Sequence, residues 1–260
     1  MLRLHKGVVL LSLLSFFATA CLSAEATTRF SGSWSDTNGG WKNGATNLSI
    51  TVTPSAIAQG DMLIATIVCQ TGTMTAVPTG WTLLLSSTND AYAREYVYAK
   101  EAGANEPSTY TFIGSASKGI SGIIADYRSD LSGISVDSCS SSSTWWDQNT
   151  PYTATIPGIT TVSSNTTLVM GLVGHIFCGT GQDYTDQFSV PTGATNELSI
   201  QTVYPSSISA GYKDRYVIDD QVLNSSGFTG DISVTQTITQ ISGTIYQGAN
   251  GFSYLIALSD

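Results

Sequence analysis

From residue 48 to its end, the chain never sustains a helical pattern. No window of twelve or more residues places apolar side chains at i, i+3, i+4 and i+7. Short runs of β-branched and aromatic residues recur instead, separated by clusters of Gly, Pro, Asn and Ser. The runs fall near 48–53, 61–69, 81–87, 93–100, 108–114 and 120–128, then near 153–161, 166–177, 195–203, 212–219, 231–241 and 251–258. About twelve short strands with turn punctuation and no helices define an all-β fold, a sandwich or a barrel. With 260 residues, 42% of them hydrophobic, the chain is long enough to bury a sizeable core.

The two sets of runs resemble one another. Val77-Pro-Thr-Gly80-Trp-Thr-Leu-Leu-Leu-Ser86 returns as Val190-Pro-Thr-Gly193-Ala-Thr-Asn-Glu-Leu-Ser199. Each follows an apolar strand ending in cysteine, Met62 to Cys69 and Leu168 to Cys178. Arg94-Glu-Tyr-Val97 has an echo in Asp214-Arg-Tyr-Val217, and each set closes on an aliphatic strand. Two copies are too few for a solenoid. The simpler inference is a single domain over 48–260 with related halves, about 48–137 and 138–260, as the facing sheets of a sandwich. Pseudo-symmetry then brings Cys69 and Cys178 together as a disulfide, with Cys139–Cys178 as the competing pair; a bond needs Cα atoms roughly 4.4–6.8 Å apart.

The first residues carry a different signal. A basic start with Arg3 and Lys6, an apolar run from Gly7 to Ala18 and small residues after it form a secretory signal peptide over 1–24, with cleavage after Ala20 or Ala24. That run is shorter than the roughly 20 residues needed to span a bilayer, and no later stretch is apolar enough, so no transmembrane segment is expected. Cys21 follows small residues at the end of the run, which makes a lipid anchor at Cys21 on the outer surface the alternative to simple secretion. Residues 25–47 form an N-terminal Gly/Ser/Asn-rich segment. Losing residues 1–24 leaves 8 basic against 19 acidic side chains, so the mature charge moves from −9 to −11. Such a chain has no basic surface for phosphates, and no nucleic acid partner is expected.

Gly60-Asp61-Met-Leu-Ile, Pro78-Thr-Gly-Trp81-Thr-Leu, Glu106-Pro-Ser-Thr-Tyr-Thr-Phe112 and Gly122-Ile-Ile-Ala-Asp-Tyr-Arg128 follow one another in that order. Thr167-Leu-Val-Met, Pro191-Thr-Gly, Asp220-Gln221 and Ala257-Leu258 come later. This order resembles a widespread group of extracellular jelly-roll-like β-sandwich domains found in bacterial surface and secreted proteins and in phage-associated proteins. The resemblance covers about residues 48–260, and the stretches 138–152 and 178–189 depart from it. It implies a jelly-roll-like antiparallel β-sandwich acting as a non-catalytic adhesive or binding module, and it carries over no catalytic residues.

Groups able to do chemistry are few. His175 is the only histidine left after the leader, and its apolar strand makes it a hydrogen-bonded structural residue rather than a general base. One histidine and no closely spaced cysteines leave no Cys/His metal site. A glycosidase needs two carboxylates ~5–5.5 Å or ~6.5–9.5 Å apart. Glu95, Glu101, Asp126, Asp219 and Asp220 are candidates, and nothing in the sequence selects among them. Asp36-Thr-Asn-Gly-Gly40 and Asp183-Tyr-Thr-Asp186 offer oxygen ligands for calcium, but neither holds the full loop pattern.

Aromatic residues outside the strands are the better clue. Trp34 and Trp41 lie in the N-terminal segment, and Trp145 and Trp146 sit beside Asp147, Gln148 and Asn149 with Tyr152 close behind. Adjacent tryptophans in an extended chain point to opposite sides, so one of the pair faces out. Flat rings beside Asp, Asn and Gln suit the apolar face and hydroxyls of a sugar. The expected function is therefore a secreted binding or adhesion module for a polysaccharide or cell-surface glycan, with the 145–149 loop as its contact. The alternatives are a secreted glycoside hydrolase or lyase with an acidic cleft, and a surface protein that self-associates through sheet edges.

Overall fold

The computed structural model describes residues 28–36, 47–70, 72–87, 93–115, 119–131, 133–146, 151–179, 183–201, 210–242 and 249–260. The expected leader and Cys21 lie outside them. The described residues form eighteen strands and a 3-10 turn at Pro54–Ala56, and none of them forms a helix long and apolar enough to cross a membrane. The first eight strands are β1 (Arg29–Ser35), β2 (Asn47–Thr51), β3 (Met62–Gln70), β4 (Met74–Ala76), β5 (Thr82–Ser86), β6 (Ala93–Glu101), β7 (Thr109–Gly114) and β8 (Gly119–Arg128). The rest are β9 (Ser135–Trp146), β10 (Tyr152–Ile156), β11 (Thr160–Thr161), β12 (Thr166–Gly179), β13 (Asp183–Phe188), β14 (Thr195–Gln201), β15 (Ala210–Leu223), β16 (Gly227–Phe228), β17 (Ile232–Ser242) and β18 (Ala249–Ser259). Each of the twelve expected runs coincides with a strand, the run 153–161 being divided into β10 and the two-residue β11; β1, β4, β9, β13 and the two-residue β16 are additional.

All pairings are antiparallel. One five-stranded sheet has the order β1-β8-β3-β6-β5, and the other β14-β15-β12-β18-β9. Two three-stranded sheets have the orders β2-β7-β4 and β10-β17-β13. The same connectivity is thus used twice, with β9 in the place of β1, β12 in that of β3 and β18 in that of β8.

The halves are not the two facing sheets of one sandwich, as the repeat alone suggested. Each half is itself a sandwich, and the pattern along the central strands explains why. In β3, Met62, Ile64 and Val68 face one core while Leu63, Ala65 and Ile67 face another. In β12, Val169 and Val173 alternate with Leu168, Met170 and Leu172 in the same way. A sheet apolar on both faces has to be covered on both. The two five-stranded sheets therefore pack against each other over a central core, and a three-stranded sheet covers the outer face of each.

The repeated Val-Pro-Thr-Gly turn sets the register between halves. Gly80 and Gly193 have φ of +90° and +85°, a region closed to most side chains. The next backbone N–H returns to the proline carbonyl both times, Trp81 to Pro78 and Ala194 to Pro191. Gly80 lies over Lys100 and Gly193 over Gln221. Those residues pair with Leu63 and Leu168 respectively, so Leu63 and Leu168 are equivalent. Arg94 then matches Arg215, one residue away from the alignment read in the sequence.

The same register overturns the disulfide expectation. Counting on from Leu63 and Leu168, Cys69 matches Gly174 and not Cys178. Cys69 also faces outward from the central layer, its Sγ beside Gly114 of β7, away from the other half. Neither Cys69 nor Cys139 forms a disulfide, and among the described residues no two cysteines stand at bonding distance.

Tyr254 of β18 locks the central layer. Its ring lies directly over Gly171, where a Cβ would collide with it, and its hydroxyl pairs with Thr66 Oγ1 of the first half at 2.7 Å. Gly171→Ala should lower stability by about 1–3 kcal/mol through overpacking. Thr66→Val, which removes one hydrogen-bonding partner, should cost less, and urea midpoints of the two variants read the order directly.

Candidate functional site

The residues that most look like chemistry meet at the centre of the protein. Glu95 (β6) and Ser121 (β8) come from the first half, and His175 (β12), Asp214 and Tyr216 (β15) from the second. Each occupies an inward position of an alternating strand, and each is at most 3% exposed. His175 Nδ1 lies 2.6 Å from Asp214 Oδ1, and Nε2 lies 2.7 Å from Glu95 Oε1. Both ring nitrogens face carboxylate oxygens, so both donate and the ring is an imidazolium. Burial pulls its pKa down, but Asp214 and Glu95 outweigh burial and push it up to about 10.

Ser121 Oγ donates to Asp214 Oδ2 at 2.6 Å. Its only proton is thereby used, so Tyr216 donates to Ser121 Oγ, also at 2.6 Å. Serine, histidine and carboxylates are all present, yet the serine addresses the carboxylate and not the imidazole, and no substrate reaches the group. It is a bolt between the halves. His175 is structural, as its apolar strand suggested; its two carboxylate partners were not foreseen. A signal for them was present. Glu95 shares the inward parity of Ala93, Val97 and Ala99, and Asp214 that of Tyr216 and Ile218, a charge on the apolar side of a strand each time.

The other candidate carboxylates are dispersed. Glu101 is exposed at the end of β6. Asp126 is 1% exposed; burial and the neighbouring Asp61 charge raise its pKa to about 7. Asp219 and Asp220 are chain neighbours on opposite faces of β15. Asp219 accepts a 2.7 Å hydrogen bond from Asn196. The Asp183–Asp186 segment, expected as a loop, is strand β13, and buried Asp186 is paired with Arg215 Nε at 2.5 Å. Among the described residues no three His, Cys, Asp or Glu side chains are placed to hold a metal ion.

The aromatic candidates divide. Trp34 belongs to β1 and is half-buried against the core of the first sandwich. Trp41, Asp147, Gln148 and Asn149 lie outside the described residues. Trp145 and Trp146 were expected on a loop, but they end strand β9, opposite Asn250 and Ala249 of β18. Beside them the structure opens. A cleft at this end of the second sandwich is lined by Tyr152, Phe188, Gln236, Gly251, Phe252 and Ser253, with apolar walls from Leu172 and Val234. Gly251 pairs with Thr144, one step along the ladder from Trp145. The open space is about 250 Å³, while the enclosed part is about 10 Å³, room for about one water.

Polar groups back this cleft. Gln236 Nε2 donates to Asp186 Oδ2 at 2.8 Å. Arg215, which pairs with the other oxygen of Asp186, reaches Ser199 Oγ at 3.0 Å. Burial raises the Asp186 pKa, with Arg215 and Gln236 pulling against it. Phe188 and Tyr152 give the mouth flat apolar surface. Compared with family models, curated proteins and solved structures, the chain has no match.

The central bolt makes stability depend on pH in a defined direction. The folded pKa of His175, about 10, lies above the ordinary ~6.5. The ion pairs therefore contribute fully below pH ~6.5, progressively less as pH rises, and nothing once it passes about 10. Urea unfolding across this range should show that decline in the wild type. His175→Leu leaves two buried carboxylates without their cation and should cost about 3–5 kcal/mol at neutral pH, with the alkaline decline removed.

Proposed function

We propose that the chain is a secreted, non-catalytic binding module that holds a polysaccharide or cell-surface glycan across the open end of its second sandwich. The observation that carries this reading is the cleft beside Tyr152 and the end of β9. It joins apolar ring surface to a backed amide, and the β9 backbone that carries Trp145 and Trp146 ends next to it. Its enclosed part is too small to swallow a sugar, so the polymer lies along the mouth with one substituent directed inward. The leader-like N-terminus supports export. The strand order β1-β8-β3-β6 beside β2-β7-β4, repeated in the second half, supports reading each half as jelly-roll-like and the chain as similar to the extracellular domains named above. The imidazole and its carboxylates are committed to the interior, which favours binding over hydrolysis.

Retention on a panel of immobilised polysaccharides, with product release followed in parallel, tests the reading. The expected result is saturable retention without new reducing ends or unsaturated products. Replacing Trp145 and Trp146 by Ala should weaken it roughly five- to hundredfold, the worth of ~1–3 kcal/mol of lost ring stacking, while the thermal midpoint moves little. Soluble products would point to an enzyme, and unchanged retention would remove the tryptophans from the site.

A further inference from the structure

The two halves supply an internal comparison for the cleft. In the register set by the repeated turn, the β3–β8 pair Cys69↔Ile120 corresponds to the β12–β18 pair Gly174↔Gly251. In the outer sheets the turn aligns Ala76 with Ser189; Ala76 pairs with Ile113 and the Ser189 N–H donates to the Thr235 carbonyl, so Ile113 matches Thr235 and the pair Leu48↔Phe112 matches Ala154↔Val234. One step further, Gly114 beside Met74 in the first half matches Gln236 beside Phe188 in the second, where Gln236 also pairs with Tyr152. Leu48, Cys69, Phe112 and Ile120 are buried and close the first sandwich. The second has Ala154, Gly174, Val234 and Gly251 at the same places, and where the first has Gly114 it carries the amide of Gln236.

These differences depend on one another. A Cβ on Gly174 would stand 2.7 Å from Gln236 Nε2, so the glycine makes room for the amide. Asp186 takes the Nε2 proton, which fixes which way the amide is turned. Gln236 is 1% exposed, and its Oε1 accepts no hydrogen bond among the described residues. A buried amide oxygen left without a donor costs ~1–3 kcal/mol. The fold does not demand it, because Gly114 serves at the matching place, with Cys69 filling the space opposite.

We infer that Gln236 is the recognition group of the cleft: its Oε1 accepts a hydrogen bond from one uncharged hydroxyl of a neutral sugar unit whose ring lies across the mouth beside Tyr152. The inference rests on the polysaccharide-binding reading and narrows its ligand class. An enclosed volume of one water admits a hydroxyl and little more. The carboxylate of an ionised uronate has no proton to give Oε1, and it meets the Asp186 carboxyl on a chain of net charge −9, so a neutral hydroxyl is favoured over it.

The test is retention of the purified full chain on neutral glucan, galactan and mannan beside the polyuronates alginate and pectate. The wild type should bind at least one neutral polymer and neither polyuronate. Gln236→Met keeps the volume and removes the acceptor; it should weaken retention about tenfold, equivalent to ~1.4 kcal/mol, with the thermal midpoint little changed. Gln236→Gly with Gly174→Cys restores the first half's Gly114 and Cys69 at these places, and should abolish retention in a folded protein even if Gln236→Met folds poorly. Wild-type retention by either Gln236 variant, or equal binding of a polyuronate, overturns the inference and leaves the binding reading standing. No retention of any polymer by the wild type overturns the binding reading itself, and this inference with it.

Discussion

The structure depends on the contact between two five-stranded sheets that are apolar on both faces. Neither sheet is soluble with one covering layer, so each half needs its own outer sheet and also needs the other half. Hydrophobic burial supplies adhesion over this contact but has no direction. Direction comes from the few polar groups within it: His175 between Glu95 and Asp214, Ser121 and Tyr216 beside them, and Tyr254 reaching Thr66. A slide of one sheet over the other would part these groups and leave buried charges without partners. The ion pairs thus set the alignment of the halves, whatever net stability they add.

How far the sequence was legible follows from which strands bury side chains on both faces. The apolar runs of β3, β12 and β18 were plain because nearly every position is inside. β9 was not, because Ser138 to Ser143 has no alternation and serine has little preference for a strand. Its place depends on the backbone ladder to β18, with Val136 and Cys139 touching the central core. The 145–149 segment looked like a loop for the same reason. β1 and β13 also sit at sheet edges, where one free side relaxes the demand for apolar residues. The Cys69–Cys178 expectation failed on register, since similar strand endings carry no information about which residue matches which. Only the geometry of Gly80 over Lys100 and Gly193 over Gln221 settles that.

The candidate site was legible in part, and from the wrong end. Tyr152 was singled out from its neighbours in the chain, whereas Gln236, Gly174 and Gly251 come from strands far away in sequence and gave no local signal. Gln236 sits in Ile232-Ser-Val-Thr-Gln-Thr-Ile, where a glutamine among threonines reads as solvent-facing. Parity alone places it inward, with Val234. A polar residue at an inward position was the available clue there, as it was for Glu95 and Asp214.

Duplication gives this arrangement its logic. A single sandwich that exchanged a buried phenylalanine for a valine, a leucine for an alanine, and an isoleucine and a cysteine for glycines, would lose core contacts at one end with nothing to offset them. Each large-to-small change of that kind typically costs a few kcal/mol, against a total stability of roughly 5–15 kcal/mol for a folded domain. Here the first half keeps Leu48, Phe112, Cys69 and Ile120, and a closed core. The central layer couples the second half to it through buried ion pairs and a shared apolar core. The second sandwich can then stay open at the end that meets solvent, because its fold does not rest on its own core alone. The cleft and the central bolt are two consequences of one repeat, the bolt joining the copies and the cleft marking where they have diverged.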